Sequence, residues 1–173
     1  MRSRGFTIVE IVITITIMSI LMVLAVVGVS STQSNARDEE RVSDIEAIAQ
    51  NLESFYVAGH DGLSIKGGLT YPATVNMTSA NILTTLRDID PKALTSPNAA
   101  TSTTISVTNA TNSTQTVTGV SPLPTTATYV YQPLHSDGAL CTSPTTSGGC
   151  RKFNLYYRSE KTNAVQMITS RNQ

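Results

Sequence analysis

The run from Phe6 to Val29, FTIVEIVITITIMSILMVLAVVGV, constrains this chain more than any other feature. It is about 24 residues long, has no proline and carries a single charge, Glu10. A stretch of that length crosses the roughly 30 Å hydrocarbon layer of a bilayer as a helix. Arg2 and Arg4 lie just before it. The positive-inside rule therefore keeps the N-terminus in the cytoplasm and sends the chain from about Ser30 outward. Charged side chains make up only 14% of the 173 residues, well under the roughly 25% of ordinary soluble domains. That deficit suits a chain that spends part of its length in lipid or in a polymer. Its 12 basic residues match its 12 acidic ones, so the basic excess of a nucleic-acid binder is absent.

A secretory signal peptide has an apolar core of only about 7–15 residues. This run is longer and holds a carboxylate near its start. A plain single-pass anchor explains length and orientation but leaves Glu10 without a task. A carboxylate at the centre of a membrane helix costs about 2.5–3.5 kcal/mol, so it usually has a partner.

The string Gly5-Phe6-Thr7-Ile8-Val9-Glu10 resembles the processing site of type IV prepilins and pseudopilins. The resemblance covers a short basic leader ending in Gly, the cleavage junction, a Glu at the fifth mature position and the apolar helix. It implies removal of residues 1–5 by a prepilin peptidase, N-methylation of the new terminus Phe6, and a role for Glu10 in assembly and register. It also implies a helical homopolymer built by a platform protein and ATPases, and no cofactor. The subunit would sit in the inner membrane before assembly and in a cell-surface pilus afterwards. The chemistry of Glu10 agrees. Cleavage would put a cationic amine on Phe6, four residues from Glu10, as i,i+4 neighbours. A stagger of ~6 Å between adjacent helices would pair the two charges across subunits instead. Such a carboxylate is unfavourable in lipid and compensated in a bundle. One surface binding a different surface on the next copy gives an open polymer.

Beyond the run, the helical period continues through Val42, Ile45, Ile48 or Ala49, Leu52, and Phe55 or Tyr56. A helix of up to about 53 residues, ~80 Å, is possible, with Gly59 as its terminator. Known type IV pilins usually place a proline in the apolar helix; here Gly28 is the only candidate for a break. The charge cluster Arg37–Arg41 reads first as a solvated helix face, and second as an inter-subunit pairing surface. Residues 59–78 read as loop, with Tyr71-Pro72-Ala73 matching a Tyr-Pro often found there in the family. Ser79 to Ile89 reads as a short helix with Ile82, Leu83, Leu86 and Ile89 as its stripe, capped by Thr78 or Ser79 and stopped by Asp90-Pro91.

From Ala93 to Ser136 there is no Lys, Arg, Asp or Glu. Disorder and a glycosylated stalk are both readings of such a segment. Alternation over Thr104–Thr108 and Gln115–Val120 favours a surface hairpin. Asn76, Asn109 and Asn112 sit in N-x-S/T matches of weak meaning. Strands are expected at Thr128–Gln132, Phe153–Arg158 and Ala164–Thr169, the last two joined as a hairpin across Ser159–Asn163. The expected fold is α+β: a long N-terminal helix whose second half packs on a C-terminal antiparallel sheet, a pilin-like lollipop. The expected organisation is a leader at 1–5, a transmembrane and polymerisation helix at 6–29, and an extracytoplasmic globular domain at 30–173. That domain divides into an amphipathic helix at 30–58, a variable loop region at 59–127 and a sheet with the cysteines at 128–173.

Cys141 and Cys150, with Thr142–Gly149 between them, are too far apart for a C-x-x-C pair and lack partners for zinc. A disulfide is favoured outside the cytoplasm, two free thiols being the alternative, and the family resemblance supports the bridge. His60 and His135 read as surface loop residues. No nucleophile elbow, P-loop or H-E-x-x-H occurs, so enzyme activity is not expected. Major type II pseudopilins resemble one another in a C-terminal calcium site; after Asp137 this chain offers only Glu160. The leading reading is a pilus subunit serving motility, adhesion or DNA uptake. The alternatives are a pseudopilin of a secretion or competence system, and a non-polymerising membrane-anchored binding protein.

Overall fold

The computed structural model describes residues 5–58, 68–144 and 148–172. Its longest element is α1, Ile8–Ala58, 51 residues with no break, at Gly28 or elsewhere. The expected terminator Gly59 and the histidine His60 lie outside the described residues. By packing, the chain divides into two units, one up to Ala36 and one from Arg37 onward.

Within the first unit, residues Ile8–Ala25 expose every side chain. Three hydroxyls in this stretch are satisfied by the helix itself. Thr14 donates to the Ile11 carbonyl at 2.8 Å, Thr16 to Val12 at 2.7 Å and Ser19 to Ile15 at 2.6 Å. Back-bonding of this kind lets a hydroxyl sit in an apolar medium without an unmet donor.

In the second unit, the C-terminal part of α1 buries a stripe at alternating steps of four and three. It runs through Arg41, Ile45, Ile48, Leu52 and Phe55. The stripe differs from expectation at its start: Val42 is exposed and Arg41 is fully buried. Short elements follow: a 3-10 turn at Thr74–Asn76, α2 at Ile82–Thr85, and a second 3-10 turn at Pro91–Leu94 capped by the Asp90 side chain on the Lys92 amide. The helix expected over Ser79–Ile89 is thus four residues long. Ile82, Leu86 and Ile89 are buried as foreseen, but Leu83 is exposed. The side chains of Thr78 and Ser79 do not cap it; Asn81 takes the N-cap position.

The sheet has the order β1-β2-β3-β4, with β1 Val107–Asn109, β2 Tyr129–Leu134, β3 Lys152–Arg158 and β4 Val165–Thr169. β2, β3 and β4 are antiparallel neighbours in chain order, a meander whose last two strands form the expected hairpin. β1 lies parallel to β2, so the sheet is mixed rather than wholly antiparallel. Pro133 is tolerated inside β2 because its edge faces away from β3, beyond the end of β1. Its carbonyl there accepts from the Cys141 amide, and a missing N–H costs nothing. Asn163, at φ 55°, supplies the left-handed residue of the β3–β4 turn.

One sheet face carries Tyr129, Tyr131, Phe153 and Leu155 and shares a core with Ile45, Ile48 and Leu52 of α1. Each such aliphatic side chain contributes about 1.5–3 kcal/mol on burial. The other face carries Val130 and Tyr156 and packs with Ala110 and Val120 in a second, smaller cluster. That cluster corrects the reading of the charge-free segment. It is neither disordered nor a hairpin. Ahead of β2 its strand is Val107–Asn109, and 115–120 forms turns that lie over the sheet.

The cover is fixed by polar contacts. Gln132 is fully buried. Its amide nitrogen donates to the carbonyls of Asn112 and Thr114, and its oxygen accepts from Asn154 and Tyr156. A loop whose carbonyls are taken by a side chain has no need of a β ladder. Asn112 and Thr111 close its ends on Gly119 and Ser121.

Candidate functional site

The N-terminal group of residues forms the first candidate site. Gly5 and Phe6 are exposed and lie outside any helix, with α1 starting at Ile8. Thr7 caps that start: its Oγ1 accepts from the Glu10 amide at 3.3 Å. Glu10 is therefore the third residue of the helix, exposed, in the first turn where the helix dipole favours a carboxylate. Phe6 precedes the cap, so it does not complete a helical turn with Glu10. The spacing Thr7-x-x-Glu10 is the signature of a capping box, a local signal in the sequence that none of the expectations above used.

A second set of charges meets where α1 enters the second unit. Arg37 donates to both carboxylate oxygens of Glu160, at 2.9 and 2.6 Å. Arg41, with no exposed side-chain surface, reaches Asp38 at 2.6 Å, Glu160 at 3.2 Å and the Thr126 carbonyl at 3.1 Å. Asp38 in turn accepts from the amides of Glu160 and Lys161 and from the Ser159 hydroxyl. The cluster Arg37–Arg41 is thus largely spent inside one chain. It clasps the β3–β4 turn to α1. The helix charges alone pointed to solvent; the missing signal was a distant acidic residue in a hairpin turn. The Arg37 hydrogen bonds hold the Glu160 carboxyl down at about 2. Burial pushes Asp38 up, but its three hydrogen bonds and Arg41 outweigh that and leave it lowered.

Glu53 plays the same part for the C-terminal segment. It accepts from the Tyr71 hydroxyl, the Arg171 amide and Asn172. Burial, chiefly, pushes the Tyr71 phenol up to about 12, so it stays a donor.

Cys141 and Cys150 are joined as a disulfide, with Cα atoms 5.6 Å apart. The bridged segments flank Tyr71–Thr74: the Tyr71 amide donates to the Cys150 carbonyl and the Thr74 amide to that of Cys141. His135 is half-buried, its Nδ1 2.9 Å from the Gly149 carbonyl. The three sequon asparagines are engaged. Asn76 is buried, Asn109 donates to Thr74 and Met77, and Asn112 holds the loop ends. Among the described residues no three His, Cys, Asp or Glu side chains converge.

Comparison with known proteins adds one match. The family model described as the prokaryotic N-terminal methylation motif fits residues 1–26. No curated protein and no solved structure matches the chain. The matched segment contains Gly5, Phe6, Thr7 and Glu10 together with the exposed apolar helix Ile8–Ala25. The chain therefore carries at its N-terminus the methylation motif that is the class III signal peptide of type IV pilins and pseudopilins.

Proposed function

We propose that this protein is a structural subunit of a type IV pilus-like filament. The observation that carries the reading is the methylation motif at residues 1–26, which contains an apolar helix that no described residue covers. Such a helix suits a single-pass membrane precursor and, once extracted, the centre of a helix bundle. The motif implies that a prepilin peptidase cuts between Gly5 and Phe6 and that the Phe6 amine is methylated. The new amine then finds the Glu10 carboxylate of a neighbouring subunit. Two opposite charges together in a bundle offset the desolvation that each would suffer alone. Arg2 and Arg4 leave with the leader, and the remainder of the chain faces outward.

The test is mass analysis of the protein isolated from its native cell envelope. A chain beginning with N-methylated Phe6 is expected. A chain still beginning at Met1 would overturn the proposal.

A further inference from the structure

Asp44 is a buried carboxylate of α1 on the stripe that faces the sheet. Among the described residues no cation lies within ion-pair distance of it. Its neighbours on α1 are Glu40, one turn earlier, and Arg41, which is committed to Asp38, Glu160 and Thr126. From the 3-10 turn at Pro91–Leu94 comes Lys92, whose Nζ is 3.0 Å from Glu40 and 78% exposed. From β2 comes Tyr129, whose hydroxyl donates to Asp44 at 2.9 Å. A lone phenol is a weak answer to a buried negative charge, and Glu40 adds repulsion.

We propose that Asp44 is a proton-operated joint between α1, β2 and the 91–96 segment, closed when it is protonated and loosened when it is ionised. The fold is then tightest in mildly acidic surroundings. Burial first, and the Glu40 charge with it, push the carboxyl up from 3.8 to about 6, against the Tyr129 hydrogen bond and the more distant Lys92 and Arg41 charges. A folded value above the unfolded one gives stability that is complete below 3.8 and lost as pH rises through about 6. The Glu160 clasp works in the opposite sense and at lower pH, so the two are separable. The joint holds whether or not the subunit polymerises.

The experiment is urea unfolding of the full chain in detergent between pH 5 and pH 8, with Asp44→Asn beside the wild type. The Asn oxygen still accepts from Tyr129. The wild-type midpoint is expected to fall as pH rises, and amide protection at Ser96 and Tyr129 to fall with it. The variant should be nearly flat and the more stable at pH 8. Parallel profiles for the two proteins overturn the proposal. Should the variant fail to fold, carboxyl 13C titration of Asp44 in the wild type decides. A midpoint near pH 6 supports the joint, and an ordinary aspartate midpoint overturns it.

Discussion

Gln132 meets four partners with one amide, and all four are inside the protein. Two are carbonyls of the loop over the sheet; two are donors on β3. Removing the side chain strands a hydroxyl, an amide and two carbonyls in a place that water reaches poorly. Each buried group left unmet costs about 1–3 kcal/mol. Gln132→Ala is therefore expected to destabilise the fold by about 2–4 kcal/mol, since part of the loop relaxes to water. Gln132→Glu should also fail, because a carboxylate cannot donate to the Asn112 and Thr114 carbonyls. Denaturant titration of both variants checks this; wild-type midpoints would mean that the loop is not pinned by this residue. The arginines show the same economy of use. Arg151 donates to the carbonyls of Gly148 and Leu69, and Arg158 to those of Pro124 and Asn163. Much of the basic charge of the second unit thus ties loops to the frame.

At the scale of elements, the β3–β4 turn is held to α1 by ionised groups. The folded Glu160 carboxyl lies at about 2, below its ordinary 4.5. A lowered folded value gives stability that is present above 4.5 and lost as pH falls through about 2. Wild-type protein should therefore weaken between pH 4.5 and pH 2.5, and Glu160→Gln should weaken less over that span while starting lower at pH 7. Urea midpoints at a series of pH values measure the difference; an unchanged acid limb in the variant removes Glu160 from the account. This clasp also marks the limit of what the sequence makes legible. α1, β2, β3, β4 and the β3–β4 turn all announce themselves by period and turn residues, which are local signals. The stripe Ile45, Ile48, Leu52, Phe55 does too. The burial of Arg41 does not, because it depends on Glu160, 119 residues away. The loop at 111–121 is likewise held on the sheet by a distant amide at Gln132, and the parallel pairing of β1 with β2 joins residues about twenty apart in the chain. Gly5, Phe6 and Glu10 were legible because a processing signal is a contiguous string read by another protein.

For the whole molecule, the question is which state of the apolar helix suits Glu10. An isolated helix in a bilayer bears the cost of that carboxylate alone, about 2.5–3.5 kcal/mol if it reaches the hydrocarbon centre. The helix dipole relieves part of it at the first turn. In the filament proposed above, a bundle of processed subunits would bring an amine to each carboxylate, and the charge would then favour assembly over the solitary membrane state. Glu10→Ala removes the cost in lipid and the gain in the bundle together. The variant is therefore expected to accumulate in the membrane at least as well as the wild type and to be cut at Gly5, yet to give few filaments in sheared preparations viewed by electron microscopy. Glu10→Gln, similar in shape but neutral, should share the defect. If either variant yields filaments at wild-type levels, the carboxylate is only a cap of its own helix, and register must come from apolar packing. The variants of Gln132 and Glu160 act on the second unit and should leave processing intact. A filament defect confined to Glu10 would therefore place the driving contact at the N-terminal helix rather than in the folded unit that follows it.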